Sequence, residues 1–189
     1  MKNQIIISIV ISVLLFACKN ESSEDSTPVP LNLINNSSFE TSANQPDYSG
    51  WMGTAFLTDS LGNHNIPLVQ DAPANGGQWC VQLEPMWYPA EGYTETILTG
   101  QAGTHIYQVT AWMKTISWTG SISLEQYSNG QLIDHKQLTD SSGVWKLESL
   151  VDTLTVLASD TLKVHLSAGS TELANGKVRF DMVQLKNLN

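Results

Sequence analysis

The side chains able to make or break bonds are few and poorly spaced for it. His64, His105, His135 and His165 stand apart, and none has a second His or Cys at metal-ligand spacing. Glu84, Glu91 and Glu95 cluster around the aromatic loop Pro85-Met86-Trp87-Tyr88-Pro89. A glycosidase needs two carboxyl groups roughly 5–9.5 Å apart, a separation that sequence spacing across a loop does not set. There is no H-E-x-x-H, no G-x-S-x-G and no phosphate-cradling glycine loop. A non-catalytic role is therefore expected. The aromatic and amide residues point to recognition instead. In residues 103–114, Tyr107, Val109, Ala111 and Met113 alternate with Gln108, Thr110 and Trp112. Strand parity then turns Trp112 outward beside two hydrogen-bonding side chains. Sugars offer apolar C–H faces that stack on indole or phenol rings, and hydroxyls that need donors and acceptors. Gln82, Glu125 and Tyr127 lie on the polar faces of other strands and are expected to share that surface. Trp87 and Tyr88, stiffened by flanking prolines, form a second candidate platform. Trp51, Trp79 and Trp145 read as core residues.

Lys2 gives the chain a positively charged start, and residues 5–16 form an uncharged run, apolar apart from Ser8 and Ser12, too short to span the ~30 Å hydrocarbon layer as a helix. It ends in Leu15-Phe16-Ala17-Cys18, which resembles a bacterial lipobox. Residues 1–17 are then a removed signal peptide, and Cys18 is the lipidated first residue of the mature chain. Acyl chains, at about 0.8 kcal/mol per buried methylene, anchor it without a spanning helix, so membrane contact is through the lipid alone. Residues 18–30, rich in Ser, Asp and Glu, read as a disordered tether. Its acidic start (Glu21, Glu24, Asp25) resembles signals that expose lipoproteins on the outer membrane, and also suits a plain solvated spacer. An outer-membrane, lipid-anchored location is expected. With Cys18 committed, Cys80 has no disulfide partner. The net charge of −9 and scattered lysines argue against binding nucleic acid.

Residues 31–189 make one domain. No segment keeps a 3.6-residue apolar period, whereas period-two alternation recurs around residues 79–84, 106–114, 122–127 and 162–167. Turn clusters separate these runs, among them Ala74-Asn75-Gly76-Gly77, Asn129-Gly130 and Ala174-Asn175-Gly176. Short half-apolar strands with such punctuation predict an all-β, antiparallel sandwich.

Four phrases in order carry a family resemblance. Residues 32–40 (N-L-I-N-N-S-S-F-E) are followed by Gly50-Trp51. Then come residues 77–83 (G-Q-W-C-V-Q-L), residues 103–114 (G-T-H-I-Y-Q-V-T-A-W-M-K) and residues 178–185 (V-R-F-D-M-V-Q-L). Together they resemble the galactose-binding-domain-like jelly-roll carbohydrate-binding modules of cellulases and xylanases. Ser37 and Met182 depart from that pattern, where Gly and a second Asp are usual. The resemblance implies an antiparallel jelly-roll β-sandwich and a polysaccharide or glycan partner. It also implies a structural Ca²⁺ ligated by Glu40 and Asp181. The alternative for that pair is hydrogen bonding to nearby backbone, or an ion pair with Arg179 or Lys177. Two other functions stay open: an adhesive surface lipoprotein contacting protein partners, and a divergent glycan-processing enzyme.

Overall fold

Period-two alternation closes into strands throughout. The computed structural model describes residues 30–53, 68–85, 90–97, 101–169 and 176–189. The signal segment, Cys18, Trp87 and Tyr88 lie outside them. Among the described residues the strands are β1 (Leu68–Val69), β2 (Cys80–Leu83), β3 (Ala90–Ile97), β4 (Gly103–Ile116), β5 (Gly120–Ser128), β6 (Gln131–Asp140), β7 (Lys146–Val156), β8 (Thr161–Ala168) and β9 (Lys177–Asn187). They pair antiparallel in two sheets, ordered β1-β2-β9-β4-β7 and β3-β8-β5-β6. From β2 onward the chain crosses between the sheets at every connection except β5–β6. That wiring is the jelly roll expected from the strand pattern. No helix among the described residues is long and apolar enough to cross a membrane.

The apolar faces meet between the sheets. Tyr107, Val109, Ala111 and Met113 of β4 are fully buried against Ile122 and Leu124 of β5 and Leu162, Val164 and Leu166 of β8. Each large side chain so buried contributes roughly 1.5–3 kcal/mol. Gly120 lets β5 enter this packing, because a Cβ there would collide with Val178 and lie 2.7 Å from the Met113 sulfur. The β5–β6 hairpin turns on Asn129 (φ 50°) and Gly130 (φ 78°), the two positive φ values that a two-residue type I′ turn demands.

One irregularity shapes everything near the chain ends. The β4–β9 register shifts between Thr110 and Trp112, so β9 carries an extra residue. Phe180 and Asp181 are buried in succession, and Met182 takes φ 49°. This bulge hands the inward face of β9 from Val178 and Phe180 to Val183 and Leu185.

Trp51 is buried, its ring centroid 4.9 Å from that of Phe39 and its Nε1 donating to the Asn36 carbonyl at 3.0 Å. Trp79 and Trp145 are not core residues as the sequence suggests. The pleat of β2 begins only at Cys80, so Trp79 lies outside it, half-buried, with Nε1 donating to the Asn44 carbonyl at 3.1 Å. Trp145 occupies the turn before β7, with the Lys114 ammonium 6.0 Å from its ring centroid.

Candidate functional site

Strand order brings together polar residues far apart in sequence. β8 runs between β3 and β5, so the backbone at His165 is in register with residue Tyr93 on one side and Ser123 on the other. From that central place the imidazole reaches a carboxylate on each neighbour. Its Nδ1 is 3.2 Å from Glu125 Oε1, and its Nε2 is 3.5 Å from Glu91 Oε2. Glu125 Oε2 accepts the Tyr127 hydroxyl at 2.9 Å. Lys163 pairs with Glu95 at 2.6 Å and lies 4.5 Å from the centroid of the Tyr127 ring. Further along β5, Ser121 accepts from Gln137 Nε2 at 2.7 Å. Ser121 and Ser123 point away from the core yet are only 7% and 4% exposed, so this outer face is recessed.

The electrostatics follow from these contacts. The bond to His165 holds the Glu125 carboxyl below the usual carboxylate range, and the same bond raises the imidazole. Burial, reinforced by Glu125, raises the Tyr127 phenol. The result is a strip of acceptors and donors on one side of the sandwich, with a phenol ring at one end. Such a surface can hydrogen-bond a polyhydroxyl ligand and stack one of its rings.

The outer face of the five-stranded sheet holds the other sequence candidates. Trp112 is half-buried there, opposite Leu147 of β7 and Asp181 of β9. Gln108 Nε2 donates to Ser149 Oγ at 3.0 Å. The expectation that Glu125 and Tyr127 share this surface fails, because β5 belongs to the opposite sheet. Gln82 does lie on the five-stranded sheet, but it is buried and committed. Its Oε1 accepts Arg179 Nε at 2.7 Å, and its Nε2 donates to Glu84. Nearby, Asp71 takes both Arg179 and Lys114, the latter at 2.9 Å. Burial pushes Asp71 up, but the two cations outweigh it and hold its carboxyl below the usual range. Cys80 donates to the Asp71 carbonyl at 3.3 Å, and burial pushes its thiol up to about 12, which leaves it inert.

Glu40 and Asp181 converge on a glycine pair. A Cβ on Gly76 would overlap Asp181 Oδ2, and one on Gly77 (φ 83°) would overlap Glu40 Oε1. Both carboxylates therefore press against adjacent backbone units that only glycine keeps open. Glu40 Oε2 accepts the Gln78 N–H at 3.0 Å, and Asp181 Oδ1 accepts the Met182 N–H at 2.7 Å. Asp181 Oδ2 is buried without a hydrogen-bond partner. Burial, with Glu40 adding to it, pushes the Asp181 carboxyl up to about 8. Neither Arg179 nor Lys177 neutralises the pair, since Arg179 is bonded to Asp71 and Lys177 lies 3.2 Å from Glu84. An orphaned buried oxygen beside a second carboxylate fits a hard, oxygen-seeking cation. Among the described residues no three His, Cys, Asp or Glu side chains form a metal set, so further ligands would be backbone or water oxygens.

The His165, Glu91 and Lys163 contacts are what sequence reading misses. Parity puts Lys163 and His165 on the polar face of β8, but nothing local says that β3 and β5 flank it.

No protein-family model matches the chain, and no curated protein matches it in sequence. Solved structures do resemble it. One is the enzymatically active domain of tailspike protein 4 of Bacteriophage CBA120 (TM-score 0.59, 18% identity), over 83% of this chain and 21% of that one. A second is TmCBM61, solved with β-1,4-galactotriose (TM-score 0.51, 15% identity, 83% and 99% covered). A third is a family 16 carbohydrate-binding module (TM-score 0.52, 21% identity, 82% and 99% covered). The chain thus spans about a fifth of the tailspike domain but nearly the whole of each module. At these identities the likeness establishes the fold: this domain is an antiparallel jelly-roll β-sandwich of the kind found in carbohydrate-binding modules.

Proposed function

We propose that this domain binds a glycan on the outer face of its four-stranded sheet and does no chemistry on it. The observation that carries this reading is the recessed polar strip Glu91–His165–Glu125–Tyr127 with Lys163 and Gln137 beside it. The resembled modules lend it support, since TmCBM61 was solved with a galactotriose. Tyr127 supplies the stacking ring. Glu91, Glu95 and Glu125 accept sugar hydroxyls, while Gln137 and Lys163 donate. Affinity electrophoresis against a polysaccharide panel tests it, with Tyr127→Ala expected to abolish retardation. No retardation of the unaltered chain on any glycan would sink the proposal.

In this reading Cys18 carries the lipid that holds the domain at the outer membrane, and labelling with radioactive palmitate should disappear in Cys18→Ser. A calcium held by Glu40 and Asp181 pins the two ends of the domain and supplies positive charge to an otherwise unpaired buried carboxylate. Adding a chelator should lower the melting temperature by several degrees, and an unchanged transition would remove calcium from the account. A second reading, contact with a protein partner, draws on the five-stranded outer face, where Trp112 lies beside Leu147, itself 51% exposed.

A further inference from the structure

We propose that the recessed face rejects anionic glycans and that Glu91 and Glu95 are its charge filter, an inference that rests on the glycan-binding reading above. Among the described residues, Glu91, Glu95 and Glu125 line that face against Lys163, His165 and His135, the last opposite Glu125 on β6. Glu125 is the deepest of these at 12% exposed, and the two β3 glutamates lie shallower than the cations of β8. The Glu91 and Glu95 side chains are each 37% exposed, whereas Lys163 and His165 are 21% exposed. β3, which bears both outer carboxylates, is an edge strand of its sheet. A ligand approaching over β3 therefore meets a carboxylate rim before it meets Lys163 or His165.

The cations beneath that rim are already engaged. Lys163 is held by Glu95 at 2.6 Å and faces the Tyr127 ring, and His165 is bracketed by Glu91 and Glu125. Among the described residues the other cations offer little compensation, since Lys186 lies on β9 in the opposite sheet and the rest are paired. Lys114 and Arg179 are bound to Asp71, Lys177 to Glu84, Lys136 to Asp152 and Lys146 to Glu148. The net charge of −9 adds repulsion at longer range. A uronate or sulfate ester would have to part an existing ion pair and strand a glutamate beside itself. A hydroxyl breaks nothing, because each carboxylate keeps unused lone pairs after meeting its cation. The discriminating groups are thus the two rim glutamates, which both repel an anion and occupy the cations it would need.

The test uses matched ligands: neutral β-linked hexose oligosaccharides and the same chains oxidised at C6 to uronates. Calorimetric titration of the full domain at 50 mM and 500 mM NaCl should show the oxidised form bound at least tenfold more weakly at low salt. That gap should narrow at high salt, as screening of an exposed rim requires. The double variant Glu91→Gln, Glu95→Gln should shrink the low-salt gap about tenfold. Should that variant fail to fold, the salt comparison on the unaltered domain still decides. Tighter binding of the oxidised chain, or a gap indifferent to both salt and variant, would overturn the filter and leave glycan binding standing. Failure to bind any member of either set would overturn the glycan reading itself, and the filter with it.

Discussion

On the outer face of the four-stranded sheet, charges bond laterally across three strands, from Glu91 through His165 to Glu125, above serines that never reach the surface. On the outer face of the five-stranded sheet, Arg179 and Lys114 both close on Asp71, and Arg179 also takes the Gln82 carbonyl, while Trp112 stands off beside Leu147. Both faces are made of polar residues that alternate with core residues. They differ in what is left over. Asp71 is consumed by two cations, so that cluster ties the segment after β1 to β4 and β9 and offers nothing outward. Across the other face three carboxylates share two cations, which leaves acceptor capacity for a ligand. Two cations closing on one carboxylate cross-link the fold, whereas a surplus of carboxylates over cations leaves acceptor capacity for recognition.

The largest expected effect would break this distinction if it fell on the wrong face. Replacing Tyr127 with Ala and Glu125 with Gln together should weaken glycan binding about 100-fold, or ~3 kcal/mol. Trp112→Ala should stay within about twofold of the unaltered domain. If titration calorimetry showed the reverse, the five-stranded sheet would be the ligand face. The next effect is on stability. Asp71→Ala leaves two cations without their shared acceptor and should cost ~2 kcal/mol in urea unfolding, with glycan affinity unchanged. An unchanged unfolding midpoint would mean that these pairs are no more than solvated surface contacts.

Parity was legible in the residues themselves. The alternation in residues 103–114 places Trp112 outward and Tyr107, Val109, Ala111 and Met113 inward, and the burial of β4 agrees. Asn129-Gly130 marks its hairpin for the same local reason, since few residues other than Asn and Gly accept positive φ cheaply. Strand order was not legible. Which sheet a strand joins depends on pairings over long sequence separations, so Glu125 and Tyr127 could be assigned a face but not a side of the sandwich. The same limit hid His165, whose carboxylate partners lie on β3 and β5, 74 and 40 residues away in the chain. The bulge in β9 was equally silent, because Phe180-Asp181-Met182 reads as ordinary alternation until its register with β4 is known.

The smallest expected effect sharpens the comparison through pH. Glu125 is held below its ordinary value by His165, so its stabilising contribution is complete above about pH 4.3 and is lost as the pH falls through the depressed value. His165 is raised by the same bond. Its contribution is complete below about pH 6.5 and is lost as the pH rises through the raised value. The pair therefore stabilises most between about pH 4.5 and 6.5, by an amount of order 1 kcal/mol for such partly exposed groups. On the other face, Asp71 loses its stabilising charge only as the pH falls through its depressed value. That network should be flat from pH 5 to 8. Melting temperatures measured over this range, with calcium held in excess, should then decline above neutrality in the unaltered domain. The decline should be shallower in His165→Gln, since glutamine has no proton to lose. Asp71→Ala should lower the whole curve without changing its slope. Equal slopes for all three proteins would show that the imidazole is not bonded as an ion on this face, and the functional contrast between the two sheets would have to rest on shape alone.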